Sequence, residues 1–479
     1  MLLSEILKGT GAKSLDADID INGISFKPSE TKSGDLFVCL HEAGAEKECG
    51  EAVARGAKAI LAPVAAECGV PCAAVEDIRR AFAIASGNFC GNPAKKLKIV
   101  TVVGTDGKST TAYLIHCILE RCGMRSALIG TMYNECGGVR SAANLTTPDP
   151  PELHSLFARF AAEGAEYVVM ELSAHAIYYC KLAGVRAEAA VFTNLGRDHL
   201  DFFGDEDIYR RTKKSWFDFA NCKCAVVNAD DKCGAEIIAE GKVPAISYGL
   251  DGPCDAFAVN CERTPRGTSF VVNMMDELIY ADTRLFGRFN VLNCLAACCA
   301  ARLMGASIEG IELALAQTEP PPGRYNVISR GGVDFIIDFA HTPDGLENIL
   351  TEARRGTRGR LICVFGCGGD RDRGKRPQMG AVAARLADEV IVTSDNPRFE
   401  DRAAIAEDIV AGIPQGADVT VILDRATAIK SAVARAKCGD AVVIAGKGSE
   451  NYIDELGVKV EYDDFSALEA ALEERRRAG

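Results

Sequence analysis

Short apolar runs rich in β-branched residues recur along the chain, and segments with helical spacing separate them. In the middle of the chain these runs lie at 99–103, 126–130, 167–172, 189–193 and 224–228. Strands buried on both faces have this pattern, because helices cover both sides of a parallel sheet. The pattern therefore predicts a mostly parallel α/β sheet between residues 98 and 325.

A second series of apolar runs begins near residue 326 and alternates with helical segments in the same way. Its strand candidates are 333–338, 360–365, 389–393, 419–423 and 441–445. This series predicts a doubly wound, Rossmann-like domain of five or six strands. The turn after its first strand lacks a Gly-x-Gly-x-x-Gly pattern, which disfavours a dinucleotide site.

The first part of the chain is predicted to be a smaller α/β unit. Strand candidates at 34–40 and 57–62 flank a helix at 51–56, and Gly91-Asn92-Pro93 is predicted to be a linker. The predicted class is therefore α/β, with three domains at 1–97, 98–325 and 326–479. Residues 1–8 lack a basic segment and a long apolar run, which predicts a helix start and not a signal peptide.

The composition narrows the class of protein. The 479 residues are 48% hydrophobic and carry a net charge of −13, which disfavours a nucleic-acid or anionic-membrane partner. The 20 cysteines are scattered without a C-x-x-C pair, so we expect reduced thiols and no zinc ribbon. No apolar run approaches the length of a membrane span. We therefore expect a cytoplasmic protein. We also expect small-molecule substrates and a monomer, although the composition does not determine the oligomeric state.

The strand at 99–103 leads into a glycine turn, Gly104-Thr105-Asp106-Gly107, and a helix predicted over 108–122. Backbone N–H groups and the helix dipole at such a turn bind phosphate, Lys108 can reach the outer phosphates, and Ser109 can bind Mg²⁺. The strict pattern has a glycine where this chain has Val102, so the loop is a variant. The alternative is an ordinary strand-to-helix turn. We interpret the loop as a nucleotide-phosphate site.

Further polar residues follow predicted strands, where ligands collect in open α/β sheets. Glu171 ends one strand, and His199 follows another in the run Asp198-His199-Leu200-Asp201. With Ser109 they could form one metal–phosphate centre, although a capping Glu and a structural His are the simpler alternatives. Lys213 stands in a charged helical run, and its spacing alone predicts a solvated helix face.

Together these residues resemble the Mur ligase family, ATP-dependent amide-forming enzymes of peptidoglycan precursor synthesis. The resemblance covers nearly the whole chain. It rests on the segments 104–111, 145–149, 170–175, 193–201, 287–293, 322–324, 338–344, 366–372, 375–377, 395–398 and 446–450. It implies that ATP phosphorylates the D-glutamate carboxylate of UDP-N-acetylmuramoyl-L-alanyl-D-glutamate. An incoming amine then attacks the acyl phosphate and phosphate leaves.

The resemblance also implies roles for individual residues. The implied ATP contacts are Gly104, Thr105, Asp106, Gly107, Lys108, Ser109, Thr110, Asn290, Asn293, Arg324, Asp338 and His341. The implied catalytic and Mg²⁺-binding residues are Lys108, Ser109, Glu171, His199 and a carbamylated Lys213. The implied contacts to the UDP-linked precursor are Thr146, Thr147, Ser173, Tyr179 and Lys181, the last standing where the family usually has arginine.

The run Asp395-Asn396-Pro397-Arg398 resembles the form that selects meso-diaminopimelate over lysine, with Arg371, Gly446 and Glu450 as its companions. An arginine fork suits the extra carboxylate of that acceptor. The alternative for the tetrapeptide is a simple proline turn. Other readings of the whole chain remain open: a ligase that uses L-lysine, a ligase with another carrier, and a P-loop ATPase of different function. Lys27-Pro28-Ser29 replaces the family's Asp-Ser-Arg in the N-terminal domain, which favours the different carrier.

Overall fold

The structure is a computed structural model that describes residues 1–13 and 18–478. Its N-terminal part forms a four-stranded, all-parallel sheet in the order β1-β2-β3-β4. Its strands and helices are β1 (Gly23–Ser25), β2 (Asp35–Val38), β3 (Ala59–Ala62), β4 (Cys72–Ala74), α1 (Leu3–Ile6), α2 (Ala45–Ala54) and α3 (Ile78–Phe89). The predicted strands and the helix start are confirmed, but the first long helix begins at Ala45 and not at residue 51.

The middle part of the chain forms an 11-stranded sheet in the order β15-β14-β13-β12-β11-β10-β5-β9-β6-β7-β8. Its first strands are β5 (Lys98–Val103), β6 (Ser126–Ile129), β7 (Asn134–Cys136), β8 (Val139–Ser141), β9 (Tyr167–Glu171) and β10 (Ala187–Phe192). The remaining strands are β11 (Cys222–Asn228), β12 (Ala245–Gly249), β13 (Ala256–Thr264), β14 (Gly267–Met274) and β15 (Glu277–Thr283). The helices are α4 (Lys108–Arg121), α5 (Pro150–Ala162), α6 (Ala174–Tyr178), α7 (Leu200–Phe203), α8 (Glu206–Lys214), α9 (Lys232–Glu240), α10 (Arg288–Met304) and α11 (Ile308–Gln317).

Neighbouring strands from β13 to β6 run parallel, which confirms the predicted mostly parallel sheet. Antiparallel strands extend it at both edges, β7 and β8 on one side and β14 and β15 on the other. The register of β5 places Val102 beside Glu171 and Val103 beside Phe192. The loops that follow β5, β9 and β10 therefore open at the same edge of the sheet.

The C-terminal part forms a six-stranded sheet in the order β16-β17-β21-β18-β19-β20, parallel except for β16. Its strands are β16 (Asn326–Arg330), β17 (Val333–Asp338), β18 (Leu361–Phe365), β19 (Glu389–Val392), β20 (Val419–Val421) and β21 (Ala441–Ala445), followed by the hairpin β22 (Tyr452–Glu455) and β23 (Val458–Glu461). Its helices are α12 (Pro343–Gly356), α13 (Lys375–Leu386), α14 (Arg402–Val410), α15 (Arg425–Arg435) and α16 (Asp464–Ala478). The predicted doubly wound domain is confirmed. In the described part of the chain, no helix is both long enough and apolar enough to cross a membrane.

Candidate active site

The predicted phosphate loop joins β5 to α4 and is held in place by the residues that follow β10. The side chain of Asn194 accepts a hydrogen bond from the Asp106 amide at 2.9 Å, and Thr193 Oγ1 donates to the Asp106 carbonyl at 2.7 Å. A side chain on Gly104 would overlap the hydroxyl of Thr193, and Gly107 has a φ of +79°. Gly104 is therefore required by the close approach of Thr193, and Gly107 is required by its left-handed backbone. A glycine turn of this kind at the start of a helix can bind an anion.

Lys108 and Ser109 begin α4 directly after this loop. The ammonium of Lys108 donates to the carbonyls of Gly104 at 3.0 Å and Thr105 at 2.8 Å, so the cation folds back over the loop. Because these acceptors are neutral carbonyls and not a carboxylate, Lys108 can turn toward a bound phosphate without breaking an ion pair. The structure thus places the predicted phosphate-binding cation on the loop.

Ser109 and Glu171 form the core of the predicted metal site. Ser109 Oγ donates to Glu171 Oε2 at 2.8 Å, and Arg324 Nη2 donates to Ser109 Oγ at 2.9 Å. Glu171 is buried and also accepts from the Thr131 amide at 2.7 Å. Within the described residues no group of three or more His, Cys, Asp or Glu side chains could hold a metal ion. A hydroxyl and a carboxylate nevertheless fit Mg²⁺, which takes its other ligands from water and phosphate.

His199 occupies a left-handed backbone position, with φ of +56°, at the start of α7. Burial, opposed by the charge of Asp198, lowers the pKa of His199 to about 3, so its imidazole is neutral at physiological pH. Its Nε2 lies 3.3 Å from Asp198 Oδ2. The structure therefore places His199 at the predicted edge of the sheet, facing Asp198.

Asp198 is a buried carboxylate that the sequence analysis did not assign to the site. It lies 3.3 Å from Lys375 Nζ and 3.6 Å from His341 Nε2, both from the C-terminal part of the chain. Burial favours the protonated acid, but hydrogen bonding to His341 and the charge of Lys375 hold the pKa of Asp198 well below its usual range. The sequence feature that could have identified Asp198 is its position directly before His199. Asp198 joins the two large sheets beside the phosphate loop.

Lys213 is buried, so the solvated helix face that spacing alone predicted is wrong. Its Nζ donates to Thr105 Oγ1 at 2.8 Å and lies 4.1 Å from the centre of the Tyr209 ring. Burial, with repulsion from Lys108, lowers the pKa of the Lys213 amine well below its ordinary value. The structure thus places Lys213 under the phosphate loop.

The residues implied to face the nucleotide line one cleft of about 1010 Å³ with the phosphate loop. Asn293 Nδ2 donates to Asn290 Oδ1 at 3.0 Å, and Arg324 lies 4.2 Å above the Phe339 ring. Asp338 accepts from two backbone amides, and burial raises its pKa to about 6. The cleft is lined by Asn290, Asn293, Arg324, Asp338 and His341 on this side.

Three of the residues implied to contact the UDP-linked precursor are joined by hydrogen bonds next to Glu171. Thr147 Oγ1 donates to the Glu171 carbonyl at 2.9 Å and accepts from the Ser173 amide at 3.0 Å. Lys181 Nζ donates to the Thr147 carbonyl at 3.1 Å and pairs with Asp149 at 2.8 Å. Outside this group, Thr146 lines the cleft, and the Tyr179 ring stacks 4.4 Å from the guanidinium of Arg79 in the N-terminal part. The set therefore extends from Glu171 toward the N-terminal sheet.

The predicted acceptor residues meet at the carboxyl ends of β18, β19 and β21. Arg398 Nη1 donates to the Gly369 carbonyl at 2.6 Å, and Arg371 Nη1 donates to the Asp370 carbonyl at 2.8 Å. Neither arginine forms an ion pair with a carboxylate of the described residues. The packing around Arg371 and repulsion from Arg398 lower the pKa of Arg371. Two guanidiniums that line one cleft without a carboxylate partner can bind an anion.

Glu450 and Asp395 share a buried cation, Lys447, which the sequence analysis did not assign. Lys447 Nζ lies 3.2 Å from Glu450 Oε2 and 4.0 Å from Asp395 Oδ1. Asn396 bridges this group, since its Nδ2 donates to Glu450 at 2.8 Å and its Oδ1 accepts from Lys447 at 3.0 Å. A side chain on Gly446 would lie 2.7 Å from Asp395, so a glycine fits here. Two carboxylates with one cation leave a net negative charge that suits an ammonium group.

The proline turn considered for the tetrapeptide is also present. The carbonyl of Pro397 accepts from the Glu400 amide at 3.0 Å, and Arg398 has a φ of +52°. The turn is what aims the Arg398 side chain at the cleft that Arg371 also lines. The segment 395–398 can therefore be a proline turn and also present Arg398 to an acceptor.

Comparison with known proteins agrees with this arrangement. A model described as "Mur ligase middle domain" matches residues 102–301, and one described as "Mur ligase, glutamate ligase domain" matches residues 323–448. A UDP-N-acetylmuramoyl-L-alanyl-D-glutamate--2,6-diaminopimelate ligase of Syntrophomonas wolfei is 40% identical over 477 residues, which cover 97% of each chain. A ligase of the same name from Gloeobacter violaceus is 40% identical over 490 residues, covering 100% of this chain and 99% of the relative.

Solved structures share the fold over almost the whole length. A ligase of the same name is 32% identical with a TM-score of 0.71, covering 99% of each chain. The MurF ligase of Thermotoga maritima, solved in complex with ADP, is 20% identical with a TM-score of 0.66, covering 95% of this chain and 98% of MurF. The sequence resemblance is thereby confirmed, and the chain belongs to the Mur ligase family.

Proposed function

We propose that this ATP-dependent amide ligase joins meso-diaminopimelate to UDP-N-acetylmuramoyl-L-alanyl-D-glutamate. Two relatives with 40% identity are named as ligases of UDP-N-acetylmuramoyl-L-alanyl-D-glutamate and 2,6-diaminopimelate. The observation that supports the acceptor most directly is the pair Arg371 and Arg398, which lines the same cleft as the phosphate loop and has no carboxylate partner among the described residues. An acceptor with an additional carboxylate would supply the missing anion.

The reaction consists of two transfers at one carboxylate. The D-glutamate side-chain carboxylate attacks the terminal phosphorus of ATP, which forms an acyl phosphate and releases ADP. The acceptor amine then attacks the acyl carbon, loses a proton and expels phosphate. Lys108 and the loop amides hold the transferred phosphoryl group and neutralise its charge, so the protein contributes mainly positioning and electrostatics.

Ser109 and Glu171 are the proposed Mg²⁺ ligands, with His199 close to the same edge of the sheet. When bound there, the metal would neutralise charge on the phosphates. Glu171 is kept in place by its hydrogen bonds from Ser109 and Thr131.

Lys213 is proposed to carry a carbamate. Carbamate formation needs a neutral amine, which attacks CO₂, forms an N–C bond and releases one proton. The environment of Lys213 favours that neutral amine, because burial and the nearby Lys108 lower its pKa. The product is an anionic oxygen donor beneath the phosphate loop, on the side where Thr105 now accepts from the amine.

The acceptor assignment is tested with wild-type enzyme and Arg398→Ala, measuring ADP release with meso-diaminopimelate and with L-lysine. We expect the wild type to favour meso-diaminopimelate by at least about a hundredfold in kcat/KM, because lysine leaves both arginines without an anion. Arg398→Ala should remove most of this preference, chiefly by raising the KM for the acceptor.

Arg373→Ala is the matched control, because Arg373 is an exposed arginine of the same region that pairs with Asp408. It should leave the preference unchanged. Equal use of both amino acids by the wild type would overturn the assignment and reduce the tetrapeptide 395–398 to a turn.

A further inference from the structure

A fully buried arginine joins the two loops that carry Arg371 and Arg398. Arg376 lies on α13, and its side chain has 0% exposure. Its guanidinium pairs with Glu400 at 2.8 Å and with Asp408 at 2.9 Å. A cation taken out of water in this way is stable only when its charge is well paired.

Arg376 and Glu400 also contact the backbone of both loops. Arg376 Nη2 donates to the Gly368 carbonyl at 3.2 Å, in the loop 366–371. Glu400, in the loop 395–400, accepts from the Asp370 amide of the opposite loop as well as from Arg376. The ion pair of Arg376 and Glu400 therefore links the two loops and fixes their separation.

The same two loops are joined directly beside the acceptor arginines. The Gly369 amide donates to the Asn396 carbonyl at 2.9 Å, and Arg398 donates to the Gly369 carbonyl at 2.6 Å. Arg371 and Arg398 carry like charges and repel one another. The backbone contacts between the two loops hold these two cations near each other against that repulsion.

We propose that Arg376 and Glu400 are positioning residues that set the acceptor specificity of this ligase. Neither residue lines the cleft, so they act through the loops 366–371 and 395–400. The inference rests on the proposed function, since it concerns the site for the extra carboxylate of the acceptor. Binding sites for charged groups lose much of their selectivity when their supporting contacts allow even small displacements.

Asp408 provides a matched comparison within the same cluster. It pairs with Arg376 at 2.9 Å, as Glu400 does at 2.8 Å, but it lies on α14 and forms no hydrogen bond to either loop. Glu400→Gln and Asp408→Asn thus each remove one negative charge from Arg376, but only Glu400→Gln also weakens an acceptor of the Asp370 amide in the loop 366–371. Thermal unfolding of both variants measures the part of the effect that is due to stability alone.

We expect Glu400→Gln to raise the KM for meso-diaminopimelate by about tenfold or more, equivalent to ~1.4 kcal/mol, and to reduce the preference over L-lysine. The KM values for ATP and for the UDP-linked precursor should stay within about twofold of wild type. Asp408→Asn should leave all three KM values and the preference unchanged. Glu400→Ala should exceed Glu400→Gln in the same direction.

The two proposals fail differently. If the wild type does not use meso-diaminopimelate, the proposed function is wrong and the inference falls with it. If the wild type prefers this acceptor but Glu400→Gln and Asp408→Asn have equal effects on acceptor KM, the proposed function stands and the positioning role is overturned.

Discussion

Lys213 shows at the scale of a single residue how burial can change the chemistry of a side chain. Lysine is usually a hydrated cation, but here its amine is buried and donates to Thr105. Its neighbour Lys214 instead pairs with the surface residues Glu236 and Glu240. Two adjacent lysines on one helix therefore have different roles, which only the packing of the helix determines.

Lys213→Ala should be nearly inactive, because it removes the proposed carbamate oxygen beneath the phosphate loop. Added formate or acetate should restore part of the activity by supplying a carboxylate in the space left by the side chain. Lys214→Ala is the control and should be close to wild type, since surface ion pairs contribute little. A loss that no short carboxylate relieves, together with no carbamate signal in the ¹³C NMR spectrum of the native enzyme in ¹³C-bicarbonate, would contradict the carbamate.

The raised pKa of Asp338 predicts that the stability of the folded protein depends on pH. Burial raises the pKa of Asp338 from 3.8 to about 6, so the folded protein binds this proton more tightly than the unfolded chain does. The associated stability is complete below about pH 4 and is lost as the pH rises through 6. Relative to wild type, Asp338→Asn should therefore gain stability between pH 4.5 and 7, by ~3 kcal/mol at most.

Unfolding of wild type, Asp338→Asn and the control Asp334→Asn across this pH range measures the effect. Asp334 lies on the same strand, with its carboxylate in an exposed hydrogen bond to Ser329. A difference between Asp338→Asn and wild type that does not change with pH would show that Asp338 is ionised in the folded protein throughout.

At the scale of secondary structure, strands buried on both faces could be predicted from sequence almost to the residue. The run at 99–103 became β5 over Lys98–Val103, because continuous β-branched residues are needed there. The strands β13 to β15 at one edge of the sheet are not among the predicted strands, although Ile279, Ala281 and Thr283 are buried at every second position of β15. That period-two pattern is present, but the exposed apolar residues Leu278 and Tyr280 on the other face of the strand conceal it.

The candidate site likewise has one part that could be predicted from local sequence and another part that could not. The phosphate loop could be predicted because its residues are consecutive and their backbone makes the site. Lys213 could not be placed from its spacing, since its partner Thr105 lies 108 residues earlier in the chain. Asp198 and Lys375 are separated by 177 residues and meet only when the two sheets pack. Contacts of this kind follow from the tertiary fold, which no local pattern contains.

At the scale of the whole molecule, polar contacts hold the middle and C-terminal sheets around the cleft. Arg197 follows β10 and donates to Asp372 of the C-terminal part at 2.9 Å. Thr342 Oγ1 donates to Asp106 of the phosphate loop at 3.2 Å. These contacts set the distance between the phosphate loop and the acceptor arginines, which belong to different sheets.

Arg197→Gln should therefore impair the reaction without touching either substrate site. Arg197 is one-third exposed while Asp372 is largely buried, so loss of the pair leaves a carboxylate poorly compensated and weakens the contact between the sheets. A loss of ~1 kcal/mol corresponds to a decrease of about fivefold in kcat/KM for the acceptor, with a smaller change in the KM for ATP. Arg354→Gln is the control, because Arg354 pairs with Asp388 entirely within the C-terminal part. If both variants lower kcat/KM equally, general destabilisation explains the loss. If only Arg197→Gln lowers it, and small-angle scattering shows a larger radius of gyration for that variant, the contact between the two sheets is what the reaction needs. The packing of the sheets then limits the joining of substrates bound to different domains.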